Sequence, residues 1–93
     1  MQSSTQIETT DAQKIAKRLL NHWKHKFEVS ENESEFKIFM PSATVTLTAQ
    51  PQHLDINIHS TELDDLTRLE GVVLDHVNRM AHQEFSATWH NQA

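Results

Sequence analysis

Between residues 43 and 59 the chain reads ATVTLTAQPQHLDINIH, and this stretch decides the fold. Apolar and polar side chains alternate in residues 43–49 and again in residues 53–59, with Gln50-Pro51-Gln52 as a turn between them. Because successive side chains of a strand point to opposite faces, each run predicts a strand with one buried and one wet face. The predicted inward residues are Ala43, Val45, Leu47, Ala49, Leu54, Ile56 and Ile58. Two such strands are typical of an antiparallel sheet with one face in water.

Shorter strand-like segments lie on both sides of this pair. Residues 32–34 form a turn of polar side chains, and Pro41-Ser42 breaks the chain. These breaks separate the further strands, which are predicted at residues 3–9, 27–30, 35–40 and 85–90. In the last of them, Phe85, Ala87 and Trp89 are predicted to share one face.

Two segments with helical periodicity complete the chain. The first covers residues 11–25, and Thr10 with Gln13 gives a capping-box pattern at its start. The second follows Ser60 or Thr61 as its N-cap. Its apolar residues are Leu63, Leu66, Leu69, Val73, Leu74, Val77, Met80 and Ala81. Two amphipathic helices can cover one face of the sheet. We therefore expect an α+β two-layer sandwich, mainly antiparallel, in the order β-α-β-β-β-β-α-β.

Size and composition exclude several classes of function. Ninety-three residues suit a single domain, 1–93. A net charge of −5 and 6% aromatic residues argue against nucleic acid as a partner. The absence of cysteine excludes disulfides and thiolate metal sites. No signal-peptide pattern or long apolar run is evident, so we expect a cytoplasmic location and no membrane partner. With Gly71 as its only glycine, the chain has no glycine-rich phosphate loop.

Seven histidines are the chemical signal of the sequence. The first helix ends in HWKHK, residues 22–26, and a helical projection places His22 and Lys26 at the edge of its apolar stripe but His25 on its polar face. His76 lies at the edge of the second stripe, so His22 and His76 are predicted to meet where the helices adjoin. They would then be two ligands of a divalent metal. The alternative is that both are boundary residues bonded to backbone or carboxylate groups.

Other polar residues of the second helix extend this candidate site. Glu70 falls within the apolar stripe, so we expect its carboxylate to be paired, with His22, Lys26 or a backbone amide as partner. Arg79 and Glu84 could bind an anion or pair with each other.

Two further groups are predicted to be structural. Trp23 and Trp89 are expected to pack in or beside the core. On the wet face of one strand, His53, Asp55 and His59 could chelate a metal, although solvated polar residues are the commoner arrangement.

Two helical motifs resemble those of DUF2218, a family of small bacterial proteins of unknown function. The first is Leu19-Leu20-Asn21-His22-Trp23-Lys24-His25-Lys26. The second runs from Leu66 to Ala81 and contains Leu69-Glu70, Val72-Val73, His76 and Arg79, with Glu84 and Trp89 after it. The resemblance implies no established reaction, and it associates the chain with iron and siderophore uptake. Asn21 stands where members often carry cysteine, and Met80 replaces an aromatic residue.

Three functional interpretations follow. The first is a non-enzymatic binding module for a small ligand or metal complex, with a site formed by His22, Lys26, Glu70, His76 and Arg79. The second is an enzyme that uses His22 or His76 as general acid or base, oriented by Glu70. The third is a structural protein that forms a homodimer through a sheet face or a strand edge, for which the threonine-rich residues 43–49 would suit an edge strand.

Overall fold

In a computed structural model, which describes residues 1–92, two helices cover one face of a six-stranded antiparallel sheet. The strands are β1 (Gln2–Glu8), β2 (Glu28–Glu31), β3 (Glu35–Met40), β4 (Ala43–Ala49), β5 (His53–Ser60) and β6 (His90–Gln92). The helices are α1 (Ala12–Trp23) and α2 (Leu63–Ala81). The strand order in the sheet is β2-β3-β4-β5-β1-β6. The predicted α+β class and element order are confirmed.

The core lies between the sheet and the helices. Buried residues alternate with less buried ones along β1, β3, β4 and β5, and Val45, Leu47, Ile56 and Ile58 are 0–1% exposed. The helices contribute apolar residues at helical spacing, which are Ala12, Ile15, Ala16, Leu19, Leu20, Trp23, Leu66, Leu69, Val73 and Val77. The alternate strand residues form the outer face of the sheet, which neither α1 nor α2 covers and which is polar apart from Phe39 on β3. Within residues 1–92, neither helix is long and apolar enough to cross a membrane.

The central position of β4 corrects one expectation. Residues 43–49 were expected to suit an edge strand, but they pair with β3 on one side and β5 on the other. Threonines on one face indicate only that this face contacts water. They do not indicate whether the strand has a neighbour on each side, because side chains point out of the sheet while the backbone hydrogen bonds lie within it. The edge strands are β2 and β6, of four and three residues. A homodimer through the edge of β4 is therefore excluded.

Both helices begin differently from the sequence prediction. The predicted capping box of Thr10 and Gln13 is wrong: Gln13 Nε2 instead donates to the Glu33 carbonyl at 3.1 Å, and Thr9 Oγ1 accepts from the Asp11 amide at 3.0 Å. The N-cap of α2 is Glu62, whose amide donates to Ser60 Oγ at 3.2 Å. In each case a hydroxyl two residues upstream turns the chain into the helix.

The end of α2 is fixed by backbone and side-chain bonds. His82 adopts the left-handed conformation, with φ of 56°, and the Gln83 amide donates to the Asn78 carbonyl. This is a Schellman arrangement with histidine in the position that glycine favours. Arg18 of α1 donates to the Met80 carbonyl at 2.9 Å. The bond ties the two helices together at the negative end of the α2 dipole.

The chain after α2 reaches the sheet later than predicted. Residues 84–89 are irregular, and only His90–Gln92 pairs with β1. The predicted alternation is nevertheless present, since Phe85, Ala87 and Trp89 are partly buried and the residues between them are exposed. Side-chain hydrogen bonds fix this segment where backbone hydrogen bonds between strands would otherwise do so. For example, Thr5 Oγ1 donates to the Thr88 carbonyl at 2.9 Å.

Gly71 offers a simple test of the helix. It is exposed in the middle of α2, and a Cβ added there would meet no atom within 4 Å. Because glycine in a helix interior costs about 0.5–1 kcal/mol relative to alanine, we expect Gly71→Ala to raise the free energy of unfolding by that amount. Urea denaturation followed by circular dichroism measures it. A decrease in stability would contradict the placement of Gly71 on the open side of α2.

Candidate functional site

The two helices lie side by side with opposite direction, which forms a seam between them. Arg18 of α1 meets the end of α2 at Met80, and His22 of α1 meets His76 in the third quarter of α2. Beyond Trp23 the α1 chain turns through residues 24–26, which places Lys26 beside the first half of α2. The seam therefore carries basic side chains from end to end.

His76 is the most closely held histidine of the seam. Its ring centroid lies 4.9 Å from that of Trp23 and 5.4 Å from that of His22. His76 Nδ1 lies 2.7 Å from the Val72 carbonyl, one turn earlier in α2. Since a carbonyl oxygen only accepts, Nδ1 must carry the proton, and in the neutral ring Nε2 is the free acceptor. The helical projection predicted that His22 and His76 meet between the two helices, and the distance between their rings confirms it.

Among the residues that the structure describes, His22 and His76 have no third side chain placed to complete a metal site. Within the described residues 1–92, no group of three or more histidine or acidic side chains could hold a metal ion. His25 is exposed, in agreement with its predicted place on the polar face. On the outer face of the sheet, His53 Nε2 lies 3.3 Å from Asp55 Oδ1, which is an ion-pair contact rather than a chelate with His59. A divalent metal held by His22 and His76 would have two protein ligands.

A pocket of about 370 Å³ opens at the Lys26 end of the seam. Its walls are mainly apolar side chains, which are Trp23, Phe27, Met40, Leu69 and Val72. Its polar groups are Lys26, Ser42, Arg68 and His76. Helices α1 and α2 supply two sides, and the turn between β3 and β4 closes the third. We call this cavity the seam pocket.

The basic groups of the seam pocket are not matched by acidic ones. No carboxylate among the described residues lines the pocket. Lys26 Nζ lies 5.7 Å from the centroid of the Phe27 ring, a cation–π contact. Arg68 makes a single long contact of 3.5 Å to Asp65 and is mostly exposed, so several of its donors stay free. The pocket thus presents donors and positive charge.

Glu70 lies on the other flank of α2 and faces β1. Its carboxylate accepts a hydrogen bond from the buried hydroxyl of Ser3. The expected partners of Glu70, namely His22, Lys26 or a backbone amide, are therefore wrong. The apolar pattern of the helix correctly predicted that Glu70 faces the packed side of α2. Its hydrogen-bond partner, Ser3 on β1, lies 67 residues away in sequence. Glu70 consequently cannot orient His76, whose Nδ1 proton is held by Val72.

Arg79 is also separate from the seam pocket. Its guanidinium lies 3.7 Å from the Asp75 carboxylate, one turn earlier, and both side chains are about two-thirds exposed. The suggested pairing with Glu84 is not formed. Such an exposed pair contributes little to stability. Of the five predicted ligand-binding residues, Lys26 and His76 line one cavity, His22 adjoins His76, and Glu70 and Arg79 lie elsewhere.

Sequence reasoning missed two groups of pocket residues. Arg68 precedes His76 by eight positions, which is about two helical turns, so the shared face could have been read from the helical projection. Met40, Pro41 and Ser42 were recognised only as a break between strands. No local pattern indicates which helix such a turn will meet.

A second, larger hollow of about 1020 Å³ lies over the outer face of the sheet. Its floor is polar, with Ser4, Thr46, Thr48, Asp55 and Asn57 from three neighbouring strands. The irregular residues 84–90 form one wall. This surface lacks the combination of apolar walls and concentrated charge that distinguishes the seam pocket.

Comparison with known proteins supports the two helical motifs and the fold. The model of a family described as "Uncharacterized protein conserved in bacteria (DUF2218)" matches residues 4–90. Among solved structures, an NMR structure of PA4090 from Pseudomonas aeruginosa is similar, with 31% sequence identity and a TM-score of 0.83. The match covers 96% of this chain and 94% of that chain. No curated protein matches the sequence.

The bond between Glu70 and Ser3 yields a test of packing. We expect Ser3→Ala to lower the free energy of unfolding by about 1–3 kcal/mol, because the partly buried carboxylate loses its donor. The double variant Ser3→Ala/Glu70→Leu removes both polar groups and should cost less than the two single changes together. Urea denaturation of all four proteins gives the coupling energy. Strict additivity of the two changes would show that the bond is absent in solution.

The two seam histidines should differ in their structural contribution. His76→Ala loses the bond to Val72 and the contact with Trp23, so we expect a loss of about 1–3 kcal/mol. His22→Ala changes an exposed residue and should stay within about 0.5 kcal/mol of the unmodified protein. Thermal and urea unfolding measure both, with His25→Ala as the exposed control. Equal losses for His22→Ala and His76→Ala would contradict this arrangement.

Proposed function

The chain belongs to DUF2218, a family of uncharacterized proteins conserved in bacteria, and we propose that it is a non-enzymatic binding module for a small ligand. The seam pocket is its site. Lys26 and His76 are the ligand-binding residues retained from the sequence analysis, and Arg68 joins them. His22 supports the ring of His76 from the side of α1.

The observation that carries the proposal is the composition of the seam pocket. Small-molecule sites are concave, largely apolar cavities of about 300–1,000 Å³ with a few convergent polar groups. The seam pocket has this character, and its 370 Å³ favours a ligand near the small end of that range. Trp23, Phe27 and Val72 offer contact area, while Lys26 and Arg68 supply charge and hydrogen-bond donors and His76 offers Nε2 as an acceptor.

The position of Glu70 favours binding over acid–base catalysis. An efficient histidine base is usually oriented through Nδ1 by a carboxylate that stabilises the imidazolium ion. Here Nδ1 of His76 donates to the Val72 carbonyl, which is neutral, and Glu70 is engaged by Ser3. We therefore rank the enzyme below the binding module.

A metal complex is one form that the ligand could take. Since His22 and His76 are two ligands without a third, they would leave most positions of a bare metal ion open. An iron complex would have to enter with its own chelator and be held through that chelator. The association with iron and siderophore uptake that the family resemblance suggests would then concern the organic part of the complex.

The proposal predicts where small molecules bind. We expect a fragment library with neutral, cationic and anionic members to shift ¹H–¹⁵N NMR signals at Trp23, Val72 and His76 in particular. Trp89→Phe assigns the indole signal of Trp23. The variant Val72→Trp fills the cavity and should abolish these shifts.

The matched control is Thr67→Trp, which adds the same side chain to an exposed position of α2. It should leave the shifts unchanged. Fragment-induced shifts that survive Val72→Trp, or that cluster instead at Thr46 and Asn57 on the outer face, would contradict the assignment of the site.

A further inference from the structure

We propose that the seam pocket takes an organic anion, namely a carboxylate or phosphate head on a short apolar tail. This inference rests on the proposed function and specifies its ligand. It draws on the distribution of charge along the chain, on the free donors of the seam pocket, and on the apolar walls beside them.

Positive charge is concentrated around α1. Residues 12–27 contain Lys14, Lys17, Arg18, Lys24 and Lys26, which are five of the eight lysine and arginine residues, and no aspartate or glutamate. The whole chain nevertheless has a net charge of −5. Lys17 is paired with Glu31, which leaves Lys24 and Lys26 as the cations of the turn after α1, in a protein that is acidic as a whole.

Lys26, in the turn after α1, and Arg68, on α2, line the seam pocket from opposite sides. Within residues 1–92, no carboxylate lies within ion-pair distance of Lys26, and Arg68 keeps most of its donors beside its single contact with Asp65. His76 adds a third polar group on the same cavity. A carboxylate or phosphate can accept charge-assisted hydrogen bonds from Lys26 and Arg68, and such bonds are the stronger kind.

The apolar walls show why the anion should be organic. Trp23 and Leu69 are 5% and 3% exposed, and Phe27, Met40 and Val72 are partly exposed around the cavity. Trp23 and Leu69 are already almost wholly buried, so an inorganic anion would leave the exposed parts of Phe27, Met40 and Val72 in contact with water. A short alkyl or aryl tail would cover them and gain about 25 cal/mol for each Å² of apolar surface removed from water.

The same arrangement discriminates against other ligands of equal size. A cationic head would be repelled by Lys26 and Arg68 within a partly desolvated cavity. A neutral head would leave the donors without a charged acceptor. The order of affinity expected for one tail is therefore anion, then alcohol, then amine.

The experiment compares four probes that share an octyl tail: octanoate, octyl phosphate, 1-octanol and octylamine. Binding is followed by the fluorescence of Trp23 in a Trp89→Phe background at low ionic strength. We expect both anions to bind at least tenfold more tightly than octanol, and octylamine to bind most weakly. The ratio of octanoate to octyl phosphate distinguishes a carboxylate head from a phosphate head.

The matched variants are Lys26→Met and Lys24→Met. Both variants remove one positive charge from an exposed lysine within the same turn, but Lys26 lines the seam pocket and Lys24 does not. We expect Lys26→Met to weaken octanoate binding about five- to tenfold and to leave octanol binding unchanged. Lys24→Met should change both by less than about twofold, because only long-range charge is lost.

The outcomes separate the two levels of the proposal. Two results together would overturn the anionic ligand and leave the binding module intact. Octanol would bind at Trp23 as tightly as octanoate, and Lys26→Met and Lys24→Met would have the same effect on octanoate affinity. The binding module itself would be overturned by two negative results together. None of the four probes would change the fluorescence of Trp23, and Val72→Trp would abolish none of the fragment-induced NMR shifts.

Discussion

The one-sided burial of the sheet is the constraint on which the rest of the structure depends. Val45, Leu47, Ile56 and Ile58 face inward from adjacent strands, so a slip of one residue between β4 and β5 would turn their side chains into water. The register is therefore strongly specified, and it leaves one apolar face to cover. Both helices must lie on that face. Their side-by-side packing then creates the seam, and the seam pocket lies where α1 ends against the turn after β3.

Elements with strong periodicity could be predicted from the sequence, and contacts between distant segments could not. The bounds of β4 follow from alternation, those of β3 follow from the breaks on either side of it, and the meeting of His22 and His76 follows from helical projection. The capping box failed because the N-cap is Asp11 and not Thr10, and because the Gln13 side chain donates to the Glu33 carbonyl, which only tertiary packing brings near. Glu70 was recognised as a packed carboxylate, but its donor on β1 was not.

The positive charges of this protein lie almost entirely in the helical layer of the fold. Apart from Lys37 on β3, every lysine and arginine lies on α1, on α2 or in the turn after α1. Some of these cations have structural partners, such as Lys17, which bonds both carboxylate oxygens of Glu31. Among the described residues, Lys26 has no such carboxylate partner, and it lines the seam pocket. Its position, more than the number of histidines, distinguishes the seam pocket from the remaining surface.

The pairing of β1 with β6 has a mechanical consequence. Gln2 lies opposite Gln92, and Ser4 lies opposite His90, so the first and last strands run in opposite directions with their outer ends together. Tension applied to those two ends would load the ladder of hydrogen bonds one rung at a time, beginning at Gln2. β6 is paired with β1 at three positions, against seven between β1 and β5, so β6 would peel away from β1 first and under small force.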